Sequence, residues 1–293
     1  MKLLIFGRDG QLGLQLAERL SGLGELRALG RAQADLSDPA RVARLIEQER
    51  PDYLINAAAY TAVDRAETDE AAAQVINALT PGVMAAAAQE IGAVFIHYST
   101  DYVFDGAAGR AYLEDDAPAP LNAYGRTKLA GEREIARHGG RHFILRTSWV
   151  YSEYGRNFLL TVLRLARERP ELRIVADQTG APTYAGALAD GTRAMIAAIE
   201  RRERAVDDLS GVYHMTCDGE TTWYGFTRAI VDRLALPAKV TPIATADYPL
   251  PARRPAYSVL DHGKLARVFG IRLPHWEAAL GECLASLPAH ATV

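Results

Sequence analysis

Short apolar runs alternate with longer stretches of helical periodicity through the first half of the chain. Near-continuous apolar runs, typical of strands covered on both sheet faces, predict strands at residues 3–6, 53–57, 94–98 and 143–147. Residues rich in Ala, Leu, Glu and Arg at helical spacing predict helices at 12–23, 39–49, 69–91 and 124–137. Strands that alternate with helices imply right-handed crossovers. The pattern therefore predicts an α/β fold with a Rossmann-like, doubly wound parallel sheet.

The pattern becomes less regular after about residue 150. It predicts helices at 157–168, 184–202, 261–269 and 276–287, a strand at 172–175, and a Pro-rich segment between 236 and 255. We interpret residues 1–150 as a large domain that a returning segment near 180–205 completes. The remainder of 151–293 would then form a smaller C-terminal lobe.

Charge and cysteine content narrow the class of protein. The 293 residues carry a formal net charge of -3, which gives no general reason to expect nucleic acid or an anionic membrane surface as a partner. Cys217 and Cys283 are too few for a disulfide scaffold and fit inert thiols in a reducing compartment. The N-terminus lacks the pattern of a signal peptide, and no apolar run approaches the roughly 20 residues of a membrane helix. A cytoplasmic protein is expected.

A glycine-rich loop follows the first predicted strand and opens the first helix, with Gly7, Gly10 and Gly13 at its fixed positions. Such glycines allow a tight turn, a close approach of backbone N–H groups to a pyrophosphate, and close packing of helix on strand. The helix N-terminus adds partial positive charge at the same place. The loop predicts a dinucleotide site, although a plain strand–turn–helix corner has the same spacing. Asp9 would repel a pyrophosphate unless its side chain turns away.

The residues after the second apolar stretch bear on which dinucleotide binds. NAD-preferring folds place Asp or Glu about 20 residues past the glycines, whereas this chain has Gly30 and Arg31 near that position. A guanidinium there can pair with a 2′-phosphate, so NADPH is favoured over NADH; a solvated surface arginine is the alternative. Asp35 and Leu36 follow closely and would frame the adenine.

Tyr124 and Lys128 are spaced i and i+4, on one face of a predicted helix. A nearby ammonium favours the phenolate and would lower the tyrosine pKa, so that the hydroxyl can act as proton donor to a carbonyl. Thr100 follows a buried strand, at the strand end where ligands bind in open α/β sheets. The alternatives are a surface pair and a turn that ends the strand. Ala57 ends another strand and suits either close cofactor approach or core packing.

Several motifs in chain order resemble those of the dTDP-4-dehydrorhamnose reductase family. They are the glycine loop 7–13, NAAAYTAVD at 56–64, HYSTDYVFDG at 97–106, YGRTKLAGE at 124–132, RTSWVY at 146–151, DQTGAPT at 177–183 and the segment 248–255. The glycine loop and Y-x-x-x-K mark only the short-chain dehydrogenase/reductase superfamily. STDYVFDG combined with RTSWVY and DQTGAPT is much more specific.

The resemblance implies roles for individual residues. Tyr124 would be the proton donor, Lys128 its partner and Thr100 the hydroxyl at the carbonyl. Together with the residues of the glycine loop and of the Tyr–Lys pair, the predicted cofactor-binding residues are Gly7, Gly10, Gln11, Leu12, Gly13, Gly30, Arg31, Asp35, Leu36, Ala57, Ala59, Tyr60, Thr61, Tyr98, Tyr124 and Lys128. The predicted substrate-binding residues are Thr100, Asp101, Trp149, Asn157 and Arg254. Trp149 also fits an ordinary buried aromatic residue.

The implied activity is reduction of the 4-keto group of dTDP-4-dehydro-L-rhamnose to dTDP-L-rhamnose by NAD(P)H, in the synthesis of dTDP-rhamnose for cell-surface polysaccharide. Another nucleotide-sugar epimerase or dehydratase of the same fold, and a non-catalytic NADP-binding regulatory subunit, are the alternatives. The resemblance leaves a homodimer and a Mg²⁺ ion open. No spacing of carboxylates in the sequence assigns a metal site.

Overall fold

A computed structural model describes residues 1–201 and 209–287. Its centre is a parallel six-stranded sheet with the strand order β2-β1-β3-β4-β5-β10. The strands of the chain are β1 Lys2–Phe6, β2 Glu25–Leu29, β3 Tyr53–Asn56, β4 Val94–Thr100, β5 His142–Thr147, β6 Val150–Tyr151, β7 Glu171–Val175, β8 Thr179–Gly180, β9 Thr183–Tyr184, β10 Gly211–His214, β11 Thr221–Thr222 and β12 Lys239–Ile243. The α/β class and the parallel sheet predicted from the sequence are confirmed.

Helices cover both faces of this sheet. They are α1 Gln11–Arg19, α2 Pro39–Glu49, α3 Val63–Ala66, α4 Glu70–Gln74, α5 Thr80–Ile91, α6 Ala123–His138, α7 Phe158–Glu168, α8 Ala185–Glu200, α9 Trp223–Arg233, α10 Gly263–Phe269 and α11 Trp276–Ala285. Alternate residues of β1 show the two layers: Leu3 and Ile5 join the core under α1 and α8, whereas Leu4 and Phe6 join the core under α2 and α5. Strands buried on both sides need continuous apolar runs, which is why the periodicity predicted them.

The helix predicted over 69–91 forms in three pieces, because a π-helical turn at Val75–Leu79 separates α4 from α5. Asn77 in that turn donates from Nδ2 to the Thr127 hydroxyl of α6 at 3.1 Å. Gly131 of α6 lies so close that a Cβ there would be 2.0 Å from the Asn77 carbonyl oxygen. By length and composition the stretch Glu70–Ile91 could cross a membrane, but its α5 part packs in the core between α2 and α6.

The second half of the chain contributes to both parts of the molecule. β10 extends the main sheet by pairing with β5. β10 itself lies beyond the returning segment that was predicted near 180–205. Outside the main sheet, β12 pairs in parallel with β7 although Pro242 lies within it. A proline is tolerated there because this sheet has only two strands, so its missing N–H can lie on a free edge. The division into 1–150 and a smaller lobe stays a prediction, and residues 202–208 and 288–293 lie outside the described part.

A buried ion pair between β5 and α6 fixes this helix against the strands. Arg146 of β5 donates to both carboxylate oxygens of Glu132 of α6, at 3.0 and 2.7 Å. Ser99 of β4 donates to the same carboxylate at 2.5 Å. Since buried charges are tolerated only when they are paired and hydrogen-bonded, this cluster holds β4, β5 and α6 in one arrangement.

Candidate active site

A cleft of about 900 Å³ opens at the carboxyl ends of the parallel strands. The connections after β1 and β3 lead to opposite sides of the sheet, so a topological switch point lies between these two strands. One wall of the cleft comes from the loops after β1, β2 and β3, and the other from 147–158 and α9. Tyr124, Lys128 and Thr100 lie at the floor where the two walls meet.

The glycine loop after β1 has the geometry of a phosphate cradle. Gly7 has φ +95°, and a Cβ on it would lie 2.7 Å from the Ala58 nitrogen. Gly10 precedes α1 without a side-chain cap, so the N–H groups of the first turn face the cleft. A Cβ on Gly13 would lie 2.0 Å from the Gly7 carbonyl oxygen, so this glycine serves close packing of helix on strand. Backbone that only glycine permits thus fits a pyrophosphate.

The acidic residue in that loop turns away from the cradle. Asp9 accepts the backbone N–H of Arg31 at 3.1 Å, across the gap between the ends of β1 and β2. A Cβ on Gly30 would lie 2.1 Å from the same carboxylate. Asp9 therefore ties the two loops together, and Gly30 acts by making room for it.

Arg31 lies at the far end of the cleft with its side chain 80% exposed. Its Nε donates to Asp35 at 3.1 Å, and Asp35 also accepts the backbone N–H of Ser37 at 2.9 Å. These bonds, the one from Ser37 first and then the one from Arg31, hold the pKa of Asp35 below its usual value. An exposed guanidinium with one partner can still rotate toward a ligand in the cleft.

Tyr124 reaches the cleft from the first turn of α6, which begins at the N-cap Asn122. Burial raises the pKa of Tyr124 to about 12, against an opposing influence of the nearby Thr100 side chain. The Thr100 hydroxyl itself donates to Asp101 Oδ1 at 3.0 Å. Lys128 is not among the groups that shift the pKa of Tyr124, contrary to the expected lowering by the lysine. The hydroxyl is therefore fully protonated at neutral pH, which is the state that a proton donor requires.

Lys128 lies one turn further along α6 and is almost fully buried. Its Nζ donates to the Tyr98 carbonyl oxygen at 2.6 Å and lies 3.1 Å from His97 Nε2. Burial lowers the pKa of Lys128 to about 8, against an opposing attraction from Glu132. Asp101, at the end of β4, is buried as well, and burial raises the pKa of its carboxyl to about 7.

Aromatic rings line the wall opposite the glycine loop. Trp149 stacks on Trp223 with ring centroids 3.5 Å apart and planes within 6°, and Phe158 packs on Trp223 at 4.5 Å. Trp149 has φ +46°, a conformation that is unusual for a bulky residue. A Cβ on Gly180 would lie 2.5 Å from the Trp149 ring. The tryptophan is thus held in an uncommon backbone conformation with its ring against a glycine, on a surface that suits a planar base.

Arg254 lies at the rim of this wall rather than in its lining. Its guanidinium donates to both carboxylate oxygens of Asp64, at 3.0 and 2.7 Å, and to the Ala252 carbonyl oxygen at 2.7 Å. The side-chain hydrogen bond from Arg254, followed by the backbone N–H of Ala252, holds the pKa of Asp64 below its usual value. The pair joins the Pro-rich segment to α3, so that two distant parts of the chain meet beside Tyr102.

Residues 1–288 match the sequence family described as the RmlD substrate binding domain. This chain belongs to that family. It is 50% identical to the dTDP-4-dehydrorhamnose reductase of Burkholderia thailandensis, over 98% of this chain and 99% of that protein. It is 43% identical to the protein of the same name from Escherichia coli K12, over 98% of each. Its fold is similar to a crystal structure of dTDP-4-dehydrorhamnose reductase from Bacillus anthracis in complex with NADP, with a TM-score of 0.90, 36% identity and coverage of 97% of this chain and 98% of that chain.

Most residues that the sequence predicts for the site of this RmlD family member come together in the cleft. Those that line it are Gly7, Gly10, Gln11, Leu12, Arg31, Asp35, Leu36, Ala57, Ala59, Thr61, Tyr98, Thr100, Asp101, Tyr124, Lys128 and Trp149. Those outside the lining are Gly13, Gly30, Tyr60, Asn157 and Arg254. Asn157 caps α7 and donates to Gln11 Oε1 at 3.2 Å, and the Tyr60 hydroxyl donates to Asp69 at 3.0 Å. Their direct contact with a ligand stays a prediction.

Sequence reasoning missed several residues that line the cleft of this RmlD family member. Trp223, Phe158, Phe226 and Arg156 line the cleft from segments without a recognisable motif. Asp64 ends a motif that was noted, but its pairing with Arg254 spans 190 residues of sequence. Within the described ranges, no group of three or more His, Cys, Asp and Glu side chains is placed to hold a metal ion.

Proposed function

We propose that this chain reduces the 4-keto group of dTDP-4-dehydro-L-rhamnose to dTDP-L-rhamnose, with a reduced nicotinamide dinucleotide as hydride donor. The single observation that carries the proposal is that Tyr124, Thr100 and Lys128 line one cleft together, between a phosphate cradle and an aromatic wall. Membership of the RmlD family, with relatives at 50% and 43% identity that bear this reductase name, supports the choice of substrate.

The residues at the floor divide the chemistry between them. Bound NAD(P)H would supply the hydride, and the protein supplies the position and the proton. Thr100 holds the carbonyl oxygen of the sugar beside the Tyr124 hydroxyl, which releases its proton to that oxygen. Lys128 orients the site from below, through its bond to the Tyr98 carbonyl oxygen.

The two walls would bind the two parts of the reactants. The cradle at Gly7 and Gly10 binds the pyrophosphate of the cofactor, with its backbone N–H groups and the α1 dipole. Trp149 and Trp223 offer an aromatic surface to the nucleotide base of the sugar substrate. Arg31 pairs with a 2′-phosphate, which makes NADPH the preferred donor.

A panel of keto-sugar nucleotides, assayed for oxidation of NADPH and of NADH, tests the proposal. We expect stoichiometric consumption of NADPH with dTDP-4-dehydro-L-rhamnose, and dTDP-L-rhamnose as the product. An epimerase or dehydratase of this fold would keep its nicotinamide bound through the cycle and convert sugar without net consumption. Tight NADPH binding with no turnover of any sugar would instead indicate a regulatory subunit.

A further inference from the structure

The segment between β6 and α7, residues 152–157, connects the aromatic wall to the glycine loop. Gln11, the first residue of α1, donates from Nε2 to the Val150 carbonyl oxygen at 3.0 Å. Its Oε1 accepts from Asn157 Nδ2 at 3.2 Å. Gly155 lies against the same side chain, since a Cβ on it would be 4.0 Å from Gln11 Cβ. The 152–157 segment is therefore bound to the N-terminus of the helix that forms the phosphate cradle.

The 152–157 segment is also held by its own hydrogen bonds. The Ser152 hydroxyl oxygen accepts the Tyr154 backbone N–H at 2.9 Å, and the Ser152 carbonyl oxygen accepts from Asn157 Nδ2 at 2.8 Å. Gly155 has φ +72°, which favours glycine, and the Asn157 side-chain oxygen caps α7. The backbone of the segment is therefore fixed without a ligand, and both polar side-chain atoms of Asn157 are already in use.

Arg156 is the basic residue of this segment, and it is exposed and lines the cleft. In the described part of the chain, two other basic side chains line the cleft, and both have partners. Arg31 pairs with Asp35, and Lys128 donates to the Tyr98 carbonyl oxygen. Within the described ranges the Arg156 guanidinium has neither an ion pair nor a hydrogen bond to a protein group. It is therefore free to bind an anionic ligand.

The cradle alone leaves part of the charge of a pyrophosphate unbalanced. Each phosphoryl group carries a negative charge, whereas a helix N-terminus supplies only about half an elementary positive charge. Arg8, the basic residue of the glycine loop, lies outside the lining of the cleft. A guanidinium can bond two phosphate oxygens at once, because its planar fork matches their spacing. We propose that Arg156 completes the cradle from the opposite wall by binding the pyrophosphate of the nicotinamide cofactor.

This inference rests on the proposed function, since it takes a nicotinamide dinucleotide as the ligand of the cradle. The sugar nucleotide carries a diphosphate too, and Phe158 beside the segment packs on Trp223 of the aromatic wall. The bonds of the 152–157 segment to Gln11 favour the cofactor, because Gln11 opens the cradle helix. The test measures cofactor binding without sugar. It can fail while the reductase proposal stands, and it can succeed even if no sugar is reduced.

Arg156→Met removes the guanidinium and keeps an unbranched side chain, and titration calorimetry then measures the Kd of each nucleotide. We expect the Kd values of NADPH and NADH to rise by the same factor, about tenfold, because both contain the pyrophosphate and one charged hydrogen bond has this size. Adenosine 2′-phosphate lacks the pyrophosphate and should bind the variant as it binds the wild type. Arg156→Lys keeps the charge without the planar fork and should recover part of the affinity. Arg169→Met, at an exposed arginine at the other end of α7, is the matched control and should change nothing.

Four results for Arg156→Met would each overturn the proposal. Unchanged Kd values for both dinucleotides would remove Arg156 from the cofactor site. A loss confined to the KM of the sugar nucleotide would assign the guanidinium to the diphosphate of the sugar instead. A rise in Kd for NADPH but not for NADH would place it on the 2′-phosphate. An equal loss for adenosine 2′-phosphate would show that the substitution disturbs the whole site rather than one contact.

Discussion

The two walls of the cleft are built in different ways. The proposed cofactor wall, formed by the loops after β1, β2 and β3, consists of backbone and small side chains on the ends of adjacent parallel strands, and Gly7, Gly10 and Ala57 lie within short motifs. The proposed sugar wall, formed by residues 147–158 and α9 with Arg254 at its rim, consists of large side chains from segments far apart in sequence. Both the Trp149–Trp223 stack and the Arg254–Asp64 pair join such segments. A pyrophosphate, which many cofactors share, can be bound by backbone N–H groups. A particular base and sugar instead require side chains that tertiary structure brings together.

Tyr124→Phe tests whether the proposed proton donor lies where the two walls meet, and it should cause the largest loss of activity. It removes only the hydroxyl, so kcat should fall by about 10²–10⁴, as is typical for loss of general acid assistance. NADPH affinity and the KM for the sugar nucleotide should change little. Steady-state kinetics and equilibrium NADPH binding measure both, and a variant that keeps more than half of the wild-type kcat would exclude Tyr124 as the donor.

Arg31→Asp changes the cofactor wall alone. A lost charged hydrogen bond costs roughly 1.5–3 kcal/mol, and the new carboxylate would also repel a 2′-phosphate. Because of this lost hydrogen bond, the KM for NADPH should rise at least about tenfold, while the KM for NADH stays the same or falls. Arg41→Asp on α2 is a charge-matched control elsewhere on the surface. If the ratio of NADPH to NADH use matches that of the wild type, Arg31 does not select the cofactor.

Gly13→Ala tests how the first helix packs behind the glycine loop, at a residue that does not line the cleft. The added methyl would meet the Gly7 carbonyl oxygen at 2.0 Å, and overpacking of this kind typically costs about 1–3 kcal/mol of unfolding free energy. We expect a lower Tm and weaker NADPH binding, because the cradle must shift. Gly22→Ala has its nearest neighbour at 3.9 Å and should leave both unchanged. Equal behaviour of the two variants would show that the cradle does not depend on this close contact.

Arg254→Ala should act on the sugar wall, with the smallest of the four effects. Removing the guanidinium leaves Asp64 unpaired beside Tyr102. The KM for the sugar nucleotide should rise by about tenfold, which corresponds to the loss of one charged hydrogen bond, and NADPH affinity should stay unchanged. Arg253→Ala removes an exposed neighbour and serves as the control. An unchanged KM in the Arg254 variant would remove this residue from the site, and an equal loss of NADPH affinity would assign it a structural role in both walls.

The contrast between the walls also explains what could be predicted from the sequence. The strands β1, β3, β4 and β5 of the main sheet were found because burial on both faces leaves a continuous apolar run, and Gly7 to Gly13 because one loop contains every contact. Tyr124 and Lys128 were found because helical spacing links them. These are local signals, and β10 was not recognised as part of the sheet because Gly211–His214 is short and lies outside the regular alternation.

Residues of the sugar wall were predicted through resemblance or not at all. Trp223 has no motif around it, and its role depends on Trp149, which is contributed by a segment 74 positions earlier in the chain. Arg254 was predicted to bind the substrate, and the structure pairs its guanidinium with Asp64. The direction of the Tyr124 pKa was also beyond the sequence, since it depends on how deeply the hydroxyl is buried rather than on the identity of its neighbours.

The position of Trp149 between Trp223 and Gly180 limits how the specificity of this enzyme can be redesigned. Gly180 has no space for any larger residue, since even a methyl group would collide with the indole ring. A library aimed at wider nucleotide-sugar scope would therefore yield few folded members at Gly180. Trp223 also lines the cleft and is the more productive position to vary, because its replacement enlarges the cleft without a substitution at Gly180.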